Sequence, residues 1–334
     1  MPDVREIFDM VTHDTEPTHD EWQQHERRQR RAMRRRKTSS FVVVAAVLVA
    51  SLAAAVALDH GGWTSAPATS PSGPLMSFWT HFLVNVATGE RTVVPASLPG
   101  ARLVAVSPDG RTYAYNTCCS GADYLALIDA DGSNERTIAE GPIAGYASAW
   151  SPDGSTLVFQ GRNPNGRTLG ALYAYDVATD RTSKIIGFGQ MRFGWWILRP
   201  DVSPDGSTVV FHLPRGHNPT RWDLWTVPIS GGTATLLRRN AGFPSYAPDG
   251  SIVFLDHPED LAGAVWILDA DGTTARELVG GRTHAWPSAS PDGTRVAYDD
   301  DGRTYVVDVS GGAPRRIAFG AEPAWVDSDT LLVG

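Results

Sequence analysis

Beyond residue 78 the apolar positions fall into short runs of four or five, bounded by Gly, Pro, Asp or Ser. Thr156-Leu157-Val158-Phe159 and Thr208-Val209-Val210-Phe211 each follow a Ser-Pro-Asp-Gly tetrapeptide. A second set is Phe82-Leu83-Val84-Asn85, Leu125 to Asp129, Leu172 to Asp176, Leu224 to Val227, Val265 to Asp269 and Tyr305 to Asp308, each leading into a turn. Runs of this length, rich in β-branched and aromatic residues and framed by turn formers, predict strands. The tetrapeptide recurs at Ser107, Ser151, Ser203 and Ser290, with Ala247-Pro248-Asp249-Gly250 between the last two, at spacings of 44, 52, 44 and 43 residues. A degenerate sixth copy runs from Trp325 to Asp329. Six hairpins of each kind, at about 43 residues per four-stranded unit, predict an all-β, six-bladed β-propeller over residues 78–334.

The order of the hairpins predicts how the ring closes. The chain enters with an outer hairpin, Phe82 to Val94, and leaves with an inner one, Pro323 to Val333. Together they make one blade, so the N-terminal strands remove the free edges. The turns follow from local chemistry. Ser bonds back to the backbone, Pro presets φ, Asp tolerates the third position and Gly supplies the positive φ. Asp129-Ala130-Asp131-Gly132 and Asp269-Ala270-Asp271-Gly272 imitate part of a calcium loop but lack its later oxygen ligands, so they read as hairpin turns.

The pattern before residue 78 is of another kind. Phe41 to Leu58 is an uncharged stretch whose only hydroxyl is Ser51, and at about 1.5 Å per residue it spans roughly 27 Å. Arg27, Arg28, Arg30, Arg31, Arg34, Arg35, Arg36 and Lys37 precede it, and the next basic residue is Arg91. Residues 41–58 are therefore expected to be a transmembrane helix acting as a signal anchor, with the N-terminus cytoplasmic and the propeller outside the cell membrane. A cleaved signal peptide is the alternative, since Ala55-Val56-Ala57 resembles a cleavage site. Residues 1–40 form an Arg-rich cytoplasmic leader with helices expected at Val4 to Met10 and Asp20 to Lys37. Residues 59–77, rich in Gly, Pro, Ser and Thr, read as a flexible linker.

Composition narrows the function. Residues 59–334 carry twenty basic against twenty-nine acidic side chains, a balance of the wrong sign for nucleic acid. The two cysteines, Cys118 and Cys119, are adjacent, so neither a disulfide framework nor a four-ligand zinc site can be built from them.

The Ser-Pro-Asp-Gly repeat, preceded by Pro at Pro200, Pro244, Pro287 and Pro323 and by Trp at Trp150 and Trp325, resembles the TolB-type propeller repeat. That resemblance covers about residues 78–334 and implies the fold. Propellers of this kind serve as periplasmic interaction modules, as gating domains of prolyl-oligopeptidase-like enzymes, and in some cases as lyases. The Arg-rich leader before a single span also resembles membrane-anchored regulators of sigma factors, which implies a cytoplasmic partner at the leader.

The residues themselves carry no G-x-S-x-G elbow, H-E-x-x-H, Walker A sequence or dinucleotide fingerprint. No catalytic residue, cofactor or metal is expected, and an enzyme such as a lyase or hydrolase remains as an alternative. Long loops on a rigid scaffold are where binding sits. Three are expected on one face: Gly161 to Gly170, Ile186 to Arg199 and Leu213 to Trp222. They bring Phe193, Trp195 and Trp196 together with Arg199, Arg215, His217, Arg221 and Trp222, the aromatic and Arg mixture of interface hot spots. The competing reading is that the aromatics plug the channel or cover a blade edge. Asp201, a further candidate binding residue, stands where the other inner strands have Ala105, Ala149, Ser245, Ser288 and Ala324, and Arg199 is expected on its side of the strand, as an ion-pair partner or, alternatively, with Asp201 as a ligand contact. The expected role is a non-catalytic module that binds an extracytoplasmic protein or small ligand.

Overall fold

The computed structural model describes residues 81–94, 101–117, 124–140, 147–161, 171–187, 199–215, 221–259, 262–284 and 286–334. The leader, the apolar segment 41–58, the linker 59–77, Phe193, Trp195, Trp196, His217, Cys118 and Cys119 lie outside them. Among the described residues no helix is long and apolar enough to cross a membrane.

The described residues form twenty-four strands in six four-stranded antiparallel sheets. The chain begins with β1 (Phe82–Asn85) and β2 (Arg91–Val93). Blade 1 is β3 (Ala101–Val106), β4 (Thr112–Thr117), β5 (Tyr124–Asp129) and β6 (Arg136–Glu140). Blade 2 is β7 (Ser148–Trp150), β8 (Thr156–Gly161), β9 (Ala171–Asp176) and β10 (Arg181–Gly187). Blade 3 is β11 (Asp201–Val202), β12 (Thr208–Pro214), β13 (Trp222–Pro228) and β14 (Thr235–Arg238). Blade 4 is β15 (Ala241–Tyr246), β16 (Ile252–Glu259), β17 (Ala262–Leu268) and β18 (Ala275–His284). Blade 5 is β19 (Ser288–Ala289), β20 (Arg295–Asp300), β21 (Arg303–Asp308) and β22 (Arg315–Phe319). Blade 6 joins β23 (Ala324–Trp325) and β24 (Thr330–Val333) to β1 and β2, in the order β2-β1-β24-β23. The register Phe82↔Val333 to Asn85↔Thr330 is the predicted closure.

Six apolar clusters fill the six spaces between neighbouring blades. Leu125 and Leu127 of blade 1 meet Leu157 and Phe159 of blade 2, and so on round to Leu332 of blade 6 against Tyr113 and Tyr115 of blade 1. Strand alternation explains why the second strands read as unbroken apolar runs. In β20, Val296 and Tyr298 face blade 4, whereas Ala297 faces blade 6. A strand buried on both sides favours apolar residues at successive positions, and its buried polar residues, such as His212 and Asp299, lie towards the strand ends.

The turns after the innermost strands are more tightly built than their local propensities require. In blade 2 the Ser151 hydroxyl donates to Asp153 Oδ1 at 2.6 Å and accepts from the Thr156 N–H at 2.9 Å. Asp153 Oδ1 also accepts from the Ser155 N–H, and the Gly154 N–H reaches the Ser151 carbonyl at 2.9 Å with φ at 72°. Blades 1, 3 and 5 repeat this arrangement. Asp is thus the acceptor that organises the turn and not only a residue tolerated there. These bonds pull the carboxyls of Asp205 and Asp292 down to about 2. The turn at Asp131 is likewise a hairpin turn, its Oδ1 accepting from the N–H and hydroxyl of Ser133.

One expected loop is shorter than its sequence suggests. Leu213 and Pro214 continue β12 and pair with Asp223 and Trp222 of β13, so both described ends of Leu213 to Trp222 are paired strand; residues 216–220 lie outside the described residues. The residue types, Pro214 above all, hid the strand, because cross-strand pairing and not propensity extends it.

Candidate functional site: the channel mouth

The innermost strands line a central cavity of about 350 Å³. The six equivalent wall positions, Ala105, Ala149, Asp201, Ser245, Ser288 and Ala324, all face it, as the repeat alignment requires. Asp201 is the one acid among them. Its carboxylate accepts from the N–H of Tyr246 at 2.7 Å, across to blade 4, and from its own neighbour Val202 at 2.9 Å. Innermost strands of adjacent blades share no ladder, so this contact ties two of them at the wall. Burial nonetheless outweighs these bonds and pushes the Asp201 carboxyl up to about 6.

That shift has a sign. Between about pH 4 and 6 the unfolded chain ionises this carboxyl while the folded chain keeps its proton, so Asp201 weakens the fold as pH rises through that window. Asp201→Asn is expected to raise the melting temperature at pH 7 and to leave it nearly unchanged at pH 4. Melts at the two pH values check this, and an equal change at both would show that the amide alters packing instead. Asp205 and Asp292 act below this window, because their contribution is present above the ordinary carboxyl value and lost as pH falls towards 2. Asp299, also raised, stays constant between the two proteins compared.

Arg199 does not pair with Asp201. It precedes β11 and has φ of 42°, so strand alternation does not apply to it. Its guanidinium lies 3.6 Å from the centroid of the Trp286 ring and 6.0 Å from that of Phe243, and its Nη2 is 4.0 Å from Glu322 Oε2. Arg199 leads into blade 3, Trp286 into blade 5 and Glu322 into blade 6. Blades 3 and 6 stand opposite each other in a ring of six, so the pair reaches over the mouth of the channel.

Backbone conformation marks the same place. Among the described residues seven non-glycine positions have positive φ. Four of them, Asn134, Asp180, Asn240 and Asp301, are short polar residues that adopt it readily. The other three are Arg199, Phe243 and Glu322, at 42°, 55° and 54°; Arg199 and Glu322 line the channel, and Phe243 is buried directly behind Trp286. Bulky residues held in a sparsely populated region concentrate at functional sites.

Behind the mouth an aromatic cluster supports Trp286. Phe243 meets Trp286 edge-on at 4.9 Å and Trp222 at 4.8 Å, and His212 stacks on Trp222 at 4.4 Å. His212 Nδ1 accepts from the Phe243 N–H at 3.0 Å. Near Glu322 lies Asp299, 5% exposed, whose Oδ1 has no hydrogen-bond partner among the described residues. Burial first, then the charges of Asp300 and Glu322, raise its carboxyl to about 7 against the backbone N–H groups of Gly302 and Arg303.

The sequence-derived candidates therefore separate. Arg199 and Asp201 line the channel. Trp222 is 5% exposed and belongs to the core between blades. Arg215 holds the buried Asp223 through two hydrogen bonds, one of them Nε to Oδ2 at 3.0 Å, so its head is engaged within its own blade. Arg221 is exposed, and its carbonyl accepts from the Arg215 N–H. Sequence reasoning missed Trp286, Glu322, Phe243 and Asp299. A signal for three of them was present: Arg199, Phe243, Trp286 and Glu322 each sit directly before a proline of the repeat, four residues ahead of the turn's first position. The same register in blades 1 and 2 holds Leu103 and Ala147.

No family model matches the chain. An uncharacterized protein of Agrobacterium fabrum is 28% identical over 209 residues, covering 58% of this chain and 67% of that protein. Among solved structures, a TolB candidate from Agrobacterium tumefaciens superposes with a TM-score of 0.61 at 19% identity, covering 76% of this chain and 96% of that one. The fold is TolB-like. TolB from Acinetobacter baumannii gives a TM-score of 0.52 at 17% identity over 76% of this chain, which spans 62% of that structure.

Proposed function

We propose that this chain is a membrane-anchored propeller, held outside the cell membrane by residues 41–58, that binds a partner or ligand at its channel mouth without catalysing a reaction. The observation that carries the binding role is the convergence of Arg199, Phe243 and Glu322, all in left-handed backbone, around the Trp286 ring. Blades 3, 5 and 6 contribute Arg199, Trp286 and Glu322 from one repeat position, where blades 1, 2 and 4 hold the apolar Leu103, Ala147 and Phe243. A structural repeat would be served by the same residue type in every copy. The anchoring rests on the uncharged segment and the eight basic residues that precede it.

One experiment addresses both parts. Photo-crosslinking side chains are placed at Arg303, beside the mouth, and at Asp271, in a turn on the opposite face, and intact spheroplasts are irradiated and then treated with protease. Adducts are expected from position 303 and not from 271, and the protease is expected to digest the propeller while sparing the leader. Equal labelling from both faces would remove the mouth as the site. A protected propeller would reverse the topology, and a soluble fragment starting near Leu58 would favour a cleaved signal peptide.

A further inference from the structure

The mouth of the channel already contains a bound cation, and it is the protein's own. The Arg199 guanidinium lies over the Trp286 ring, 3.6 Å from its centroid, and 4.0 Å from the Glu322 carboxylate. An aromatic face beside a carboxylate is the chemistry that recognises guanidinium and ammonium groups. We propose that Trp286 and Glu322 form a seat for a guanidinium or ammonium group of the ligand, and that Arg199 fills this seat until the ligand displaces it. The inference rests on the binding role proposed above and names the class of ligand.

Three further observations support a cationic occupant. The first is the charge around the seat. Asp201, Asp299 and Glu322 place three carboxyl groups at and beneath the mouth, where Arg199 is the one guanidinium among the described residues that reaches Trp286. A second cation is drawn to such a mouth, whereas an anion is repelled by it. Asp299 provides the second observation. Its Oδ1 is buried without a hydrogen-bond partner among the described residues, and it is close enough to Glu322 for the two charges to repel. Arg199, at 4.0 Å from Glu322, leaves both conditions in place, so a cation whose donors also reach Asp299 would satisfy more of the seat than the internal plug does. The third is the backbone of the plug. Arg199 occupies the seat with φ of 42° and Glu322 faces it with φ of 54°, so the internal contact is held in conformations that bulky side chains adopt at a cost. A contact made under strain exchanges for an external one more easily than an unstrained contact does.

The strain also supplies a clean variant. Glycine is at home at φ of 42°, so Arg199→Gly empties the seat while relaxing the backbone. The full chain in detergent is titrated by calorimetry with N-acetyl-arginine amide, with spermidine, and with N-acetyl-citrulline amide, which has nearly the same shape as the arginine probe and no charge. Arg199→Gly is expected to bind one of the two cationic probes at least tenfold more tightly than the unaltered chain and to ignore citrulline. The arginine probe preferred would indicate a peptide side chain as the natural ligand, and spermidine preferred would indicate a free polyamine. Adding Trp286→Ala or Glu322→Gln to Arg199→Gly should return binding to the level of the unaltered chain. The proposal is overturned if Arg199→Gly gains no affinity for either cation, if citrulline binds equally, or if the gain survives Glu322→Gln. Should Arg199→Gly melt early, Arg199→Gln, which keeps most of the side-chain length without the charge, is titrated in its place under the same criteria. Failure here with mouth-specific crosslinks intact would reject the cation and keep the binding role; loss of the crosslinks would reject the binding role itself.

Discussion

Removal of residues 78–96 is expected to abolish the single cooperative melt of the propeller. The deleted segment supplies β1 and β2, half of blade 6, and with them Val84, Val86 and Val94, all buried. Each fully buried valine side chain contributes about 1.5–3 kcal/mol, so the three together rival the roughly 5–15 kcal/mol that holds an average domain. Two further losses add to this. The edge of β24 from Thr330 to Val333 loses its partner, and Tyr113, Tyr115 and Ile128 of blade 1 lose the outer part of the blade they pack beside. Circular dichroism on heating measures the outcome. A truncated protein that melts as one transition at the original temperature would show that the ring closes without its N-terminal strands. A gentler form of the test is Val84→Asp, which leaves the chain intact and puts a charge into the space between blades 5 and 6.

Arg215→Ala is expected to act on stability and not on binding. The guanidinium neutralises Asp223, whose side chain is 5% exposed and which also accepts the Asn240 N–H at 2.8 Å. Removing one partner of a buried pair leaves a charge without compensation, at a cost of about 3–5 kcal/mol. The lower end applies, because Arg239 lies 3.9 Å from the same carboxylate and the Asn240 N–H remains. At roughly 2–4 °C per kcal/mol for a domain of this size, the melting temperature should fall by about 6–12 °C. Asp223→Asn in the same chain should recover part of the loss by removing the stranded charge. An unchanged melt after Arg215→Ala would return Arg215 to the list of side chains available to a partner, as the composition of its loop first suggested.

These two cases also divide what could be read from the chain alone. Blade 6 was legible before any coordinates, since the strand pattern at Phe82 and at Leu331 differs in kind and only a shared blade accommodates both. The six wall positions were legible for the same reason: a repeat carries its register with it, and Asp201 stands out against Ala105 or Ser288 by alignment alone. Residue type and loop position together suggest exposure for Trp222 and Arg215, and the structure gives both internal contacts instead. The ladder Leu213↔Asp223 and Pro214↔Trp222 lengthens the hairpin and turns both side chains to internal partners. Strand alternation pairs Arg199 with Asp201, and a positive φ just ahead of the strand removes the basis of that rule.

What the sequence determined by itself is everything that depends on neighbours along the chain. Ser, Asp and Gly close each turn through bonds spanning at most five residues, and strand period with spacing then dictates blade count and closure. The seat at the channel mouth is of the other kind. Arg199, Trp286 and Glu322 belong to three different blades, and each precedes a proline as unremarkably as the next. They meet only because the ring closes and brings one edge of every blade to a common axis. Charge, aromatic face and backbone strain at that point are properties of the closed ring; the shared register before each proline marks the positions but not that these side chains meet.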